Sequence, residues 1–180
     1  GGSVRIEVIG GNTDTCPSQL IERAERLVRD GDTNRGHRAK EWEHVYIVFD
    51  RDHHSNFATA RNKIQKLDSS IKNELKKPIR FSSIYSIPSF ELWILLHFRF
   101  TDAPMSTNVA LAEVRRVLPN YRKEQSDLYS QLQRNLNFAI QNAQRLEVLS
   151  HAEDACTNHP ETKVHLLVKH LLSFRPQTIA

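Results

Sequence analysis

Apolar and polar positions change period along this chain, and the changes mark its elements. Residues 4–9, VRIEVI, alternate β-branched and charged side chains, the pattern of a strand with one buried face. Gly10, Gly11 and the turn-rich NTDT close that run. Over 17–30 the apolar positions 20, 21, 24, 27 and 28 form a helical stripe, opened by Pro17 and stopped by Gly31. Residues 31–41 are polar and read as a loop or a frayed helix end. EHVYIVFD (43–50) is short, rich in β-branched and aromatic residues and bounded by polar ones, which suits a buried strand of a mostly parallel sheet. A helix over about 56–76 and a third strand over 79–86 follow. PSFELWILLHFRF (88–100) is apolar on most faces and reads as a buried helix.

Strand and helix alternate up to this point, which argues a parallel α/β unit. Beyond residue 106 the signals are helical only, over about 106–117, a long stretch near 124–149, and 162–174. The expected fold class is therefore α/β: a small, mostly parallel sheet flanked by helices over residues 1–100, with a helical extension over 101–180 packed on it. GGS at 1–3 looks like a cloning scar, and the natural protein is expected to continue upstream.

With 180 residues, 39% of them apolar and 26% charged, the chain can bury a real core. Its net charge of +4 tilts weakly toward an anionic partner such as nucleic acid. Cys16 and Cys156 cannot build a disulfide framework or a thiolate zinc site, so a reducing cytoplasm is the expected compartment. No apolar run reaches membrane-span length and no signal peptide is visible, so no membrane partner is expected.

Candidate chemistry begins where the second strand runs into YIVFDRDHHSNF (46–57). Side chains at i and i+2 share a side of a strand, so Asp50 and Asp52 should lie together at the carboxyl edge, where open α/β sheets place their sites. Two adjacent carboxylates repel, and a divalent cation relieves them. The plain alternative is a strand end and a turn cap. Glycosyltransferases that use nucleotide sugars also carry D-x-D after an apolar strand, although no residues here suggest the sugar site. His53 and His54 are adjacent and point apart, which does not suit zinc.

Glu91 opens the apolar 88–100 helix, where the helix dipole favours an anion. A strand ending at 86 would deliver it to the edge that carries Asp50. Trp93 and His97 lie one turn apart on one face, with His97 read as a hydrogen-bonded core histidine. LPNYRKE (118–124) breaks between helices and displays Arg122 and Lys123, either solvated or touching phosphate. In NHPETKVHLLVKHLL (158–172), Thr162 can cap a helix whose core positions are 164, 167, 168 and 171. Lys163, His165, Lys169 and His170 mostly take its other face, wet or turned to nucleic acid. The chain has neither a phosphate-cradling glycine loop nor a Ser-His-Asp arrangement.

Five stretches taken in order resemble the RloB-like family, part of the wider TOPRIM-related group: RIEVIGG (5–11), VFDRDHHSNF (48–57), SIPSFELWILLHF (86–98), LPNYRK (118–123) and NHPETKVHLLV (158–168). The resemblance implies a TOPRIM-like sheet and a role beside an ATPase partner in restriction or phage-defence loci. It also implies Mg²⁺ (or Mn²⁺) at Asp50 and Asp52 for nucleic-acid phosphodiester hydrolysis. On that reading Asp50, Asp52, Glu91 and Lys123 are the site. Glu91 is a third acid or an orienting group, and Lys123 neutralises phosphate. The family's opening strand, which ends in an acidic GE motif, should precede residue 4, so the glutamate that acts as general acid/base is not among these residues. Glu7 lies in what corresponds to the family's second strand and is not given that role. The rival expectation is an inactive binding or sensor module that docks on the ATPase.

Overall fold

In a computed structural model of the chain, residues 5–9, 16–51, 56–152 and 159–174 are described, without the side chains of 151 and 152. The fold is α/β, with a three-stranded mixed sheet in the order β1 (His44–Asp50), β2 (Arg80–Ile87), β3 (Glu161–Thr162). β1 and β2 are the parallel pair, and β3 runs antiparallel to β2 with Ser86 opposite Thr162. The chain divides into two compact units: residues 1–48, 54–83 and 170–180 in the first, 49–53 and 84–169 in the second.

The first unit is built on α1 (Pro17–Asp30) and α2 (Phe57–Leu67), with Ile21, Val28, Ile64, Ile79 and Phe81 in its core. α1 keeps the bounds its apolar stripe predicts. Pro17 opens it, and the Gly31 amide closes it by donating to the Leu27 carbonyl at 2.9 Å. Gly31 has φ +76°, and a Cβ there would lie 2.6 Å from the His37 carbonyl oxygen, so only glycine fits.

Several expectations need correction here. Residues 5–9 form no strand; Ile6 is 56% and Val8 88% exposed. Charged side chains tether this stretch instead, with Glu7 3.9 Å and Arg5 3.5 Å from the His37 ring nitrogens. Alternation alone makes a strand only where a neighbour accepts its ladder. The 31–41 loop carries a 3-10 turn at Thr33–Arg35 and a bridge between Asp32 and His37. The helix expected over 56–76 ends at Leu67, because Asp68 leaves helical geometry and turns its carboxylate to the Phe81 amide (3.0 Å) and the Arg80 guanidinium (2.9 Å). β1 is not buried on both faces: Ile47 and Phe49 are covered while Val48 is 50% exposed.

In the second unit, α3 (Glu91–Leu95) packs with α4 (Thr107–Val117), and α6 (Leu136–Ala152) packs with β3. Ser106 caps α4 by accepting from the Val109 amide. Ile94, Leu95, Val114, Tyr121 and Leu132 form one core cluster. Only 91–95 of the 88–100 segment is helical, and 96–98 continue as turn; the segment is nonetheless buried. The 124–149 stretch splits into α5 (Leu128–Leu132), a 3-10 turn Gln133–Asn135 and α6. The last helix, α7 (Val164–Ser173), starts only after β3. Of its expected core positions Val164 is buried and Leu171 is exposed, while His165 is fully buried. The reason is an ionic cluster: Lys163 bridges Glu147 (2.6 Å) and Glu161 (2.8 Å), and the His165 Nε2 faces Glu147 at 3.2 Å. Lys163 and His165 therefore belong to the interior and not to a wet basic face.

Candidate active site at the carboxyl ends of the parallel strands

The end of β1 is stitched to the end of β2 by the Arg51 amide, which donates to the Ser86 carbonyl at 2.9 Å. The Ser86 hydroxyl in turn meets the Thr162 hydroxyl at 2.9 Å, and the Lys163 amide donates to the Tyr85 carbonyl at 2.8 Å. Three chain segments far apart in sequence thus meet at one strand edge, where Asp50 stands half-buried. Asp52, His53 and His54 lie outside the described residues.

Glu91 follows β2 and is the most deeply placed acid among the described residues of the unit, only 2% exposed. Its carboxylate is compensated from three directions. The Ser89 hydroxyl donates to Oε2 at 2.6 Å, the Tyr121 hydroxyl donates to Oε1 at 3.3 Å, and the Lys123 ammonium lies 3.7 Å from Oε1. A buried charge is tolerated only with this degree of pairing. Lys123 itself remains largely exposed, so its head can also meet an incoming anion.

Tyr121 is hydrogen-bonded to Glu91 and lies within electrostatic reach of Asp50. Its hydroxyl is pushed well above the ordinary phenol range by burial first, then by the charge and hydrogen bond of Glu91, and then by the charge of Asp50. Both carboxylates therefore act on one phenol. In LPNYRKE the sequence singles out Arg122 and Lys123; Tyr121, Ser89 and Ser86 carry no such signal, and Thr162 offers only that of a helix cap. An aromatic between two loop-forming residues was the only local signal for Tyr121. Arg122 is exposed, and its amide donates to the Gln125 side chain at 2.9 Å.

The expected core histidine is present. His97 is 1% exposed, its Nδ1–H donates to the Trp93 carbonyl at 2.9 Å, and its ring meets Trp93 edge-on. Burial lowers its basicity, partly offset by its bonds to the Trp93 and Ile94 backbone.

Among the described residues no three His, Cys, Asp or Glu side chains gather into a metal-binding group. The acids present, Asp50 and Glu91, are hard oxygen donors. In kind they fit a magnesium-type ion, which takes few protein carboxylates and completes its shell with water and phosphate.

An α/β protein with Asp50 at the end of one parallel strand and the buried Glu91 following the other is the class that the fold and site define. Comparison with known proteins narrows it: the family model of RloB-like proteins matches residues 3–171, and the chain belongs to that family. No curated protein and no solved structure matches the chain. Among the described residues no helix is long and apolar enough to cross a membrane.

Proposed function

We propose that this RloB-like protein is a Mg²⁺-dependent nuclease effector that works with an ATPase partner in defence against phage. The observation that carries the reading is the placement of Asp50 at the stitched ends of β1 and β2, with the buried Glu91 following β2 and paired to Tyr121 and Lys123, at the strand edge where α/β sheets place their chemistry. Asp50 and Asp52, the D-x-D that resembles TOPRIM-related sites, would hold the cation. When bound, the cation supplies charge stabilisation at a phosphodiester. Glu91 keeps Tyr121 and Lys123 oriented toward the edge, and Lys123 offers its exposed ammonium to the phosphate. The Ser86–Thr162 hydroxyl pair and the Arg51–Ser86 bond keep the edge rigid, so Asp50 needs little reorganisation.

A second reading has its own observation. Glu91 is already paired on both oxygens, as a purely structural carboxylate would be, which favours a binding module docked on the ATPase. One experiment separates the two. The full-length protein with its ATPase partner and nucleotide is incubated with DNA and with RNA in Mg²⁺, beside Asp50→Asn. Cleavage that disappears in Asp50→Asn, with folding and partner binding retained, supports the nuclease. Tight partner binding without cleavage of either nucleic acid supports the module.

A further inference from the structure

The first unit holds a cavity of about 350 Å³ that the acid site does not use. One side is a face of α1 bearing Arg23, Arg26, Leu27 and Asp30, positions three or four apart and therefore neighbours along the helix. Ile9 and the turn Gly31, Asp32, Thr33 and Arg35 complete the wall. The cavity is bipolar. Arg23 and Arg26 lie further up the helix, whereas Asp30 sits at its carboxyl end, where carbonyls and the dipole favour hydrogen-bond donors. Arg35 is held by Asp32, which accepts from its amide and lies 3.7 Å from its Nε. The side chains of Arg26 and Asp30 make no hydrogen bond or ion pair with each other or with any other described residue. Leu27 and Ile9 supply an apolar surface between the charged ends.

We propose that this cavity binds a nucleoside phosphate, either as a free nucleotide or as one unit of a nucleic-acid strand. Guanidinium forks match phosphate geometry, the apolar wall suits a ring face, and Asp30 can accept from an exocyclic amine. A simple anion would gain nothing from Asp30, and a simple cation nothing from three arginines. The volume suits a small ligand. The inference takes from the proposed function only the nucleic-acid strand as one source of ligand.

The test uses calorimetry in EDTA, so neither a cation nor cleavage is needed. The full-length chain and its Arg26→Ala and Asp30→Asn variants are titrated with 5′-AMP, with inorganic phosphate, and with a short single strand. Arg26 is exposed, so Arg26→Ala should melt like the parent. Expected are AMP binding tighter than phosphate, about tenfold weaker binding in Arg26→Ala, and a smaller loss in Asp30→Asn. Preference for AMP over the strand makes a free nucleotide the source; the reverse makes it the strand. The same affinity in Arg26→Ala for every ligand, or no binding of AMP or strand, overturns the cavity proposal. Cleavage lost in Asp50→Asn beside unaltered Arg26→Ala binding would overturn it alone. The converse would overturn the nuclease reading alone.

Discussion

Tyr121 is where the chemistry of single residues concentrates. Burial and two nearby carboxylates favour its neutral form, so it should ionise last as a solution is made alkaline. In a tyrosinate absorbance titration one phenol should lag far behind, and Tyr121→Phe should remove that laggard. The same substitution deletes the hydroxyl's bond to Glu91 and should cost about 1 kcal/mol by denaturant unfolding. Asp50 carries the cation prediction. Mn²⁺ should broaden or heat-titrate weakly in the parent and not in Asp50→Ala/Asp52→Ala. Equal binding by both would remove the site.

Among elements, α3 and the turn after it are short but deeply embedded, and their interior is unforgiving. Trp93→Ala should cost roughly 3–5 kcal/mol, because the indole is buried against His97. A cost below about 1 kcal/mol would mean that the segment packs loosely. His97 adds a pH dependence. Burial lowers its folded pKa, so in the window from the ordinary value of about 6.5 downward the unfolded chain binds more protons. Stability is full above that value and falls as pH drops toward the folded pKa, by at most about 1.4 kcal/mol per unit for each such group. His165, also lowered by burial although Glu147 partly offsets it, acts in the same direction. Denaturant midpoints between pH 7 and 5 should therefore fall, and less steeply in His97→Gln. An identical slope in the variant would show that His97 does not titrate.

At the scale of the whole molecule, the net charge of +4 and sequence pI near 9.2 bear on partners more than on fold. If the basic residues meet a phosphate backbone, affinity for a single strand should fall about tenfold or more between low and near-physiological salt. Affinity indifferent to salt would exclude a backbone-led interaction. The interior shows why charge counts mislead: Lys163 contributes to the net charge yet is largely covered and paired with Glu147 and Glu161.

Local physics was legible wherever neighbours in sequence decide the outcome. α1 follows from its stripe, Pro17 and Gly31; β1 and β2 follow from their β-branched and aromatic runs; the core role of Trp93 and His97 follows from one apolar helical segment. Asp50 and Glu91 were recognisable as candidates because strand ends and helix starts are written locally. What only tertiary structure decided depends on partners far away in the chain. VRIEVI has the alternation of a strand, yet residues 5–9 join no ladder and are tied down by charges to His37. Tyr121 joins the candidate site because residue 91 accepts its hydrogen bond, and Lys163 turns inward because Glu147 and Glu161 lie in reach. Periodicity reports what a segment would bury; the carboxylates and ladders that complete it come from segments that periodicity does not see.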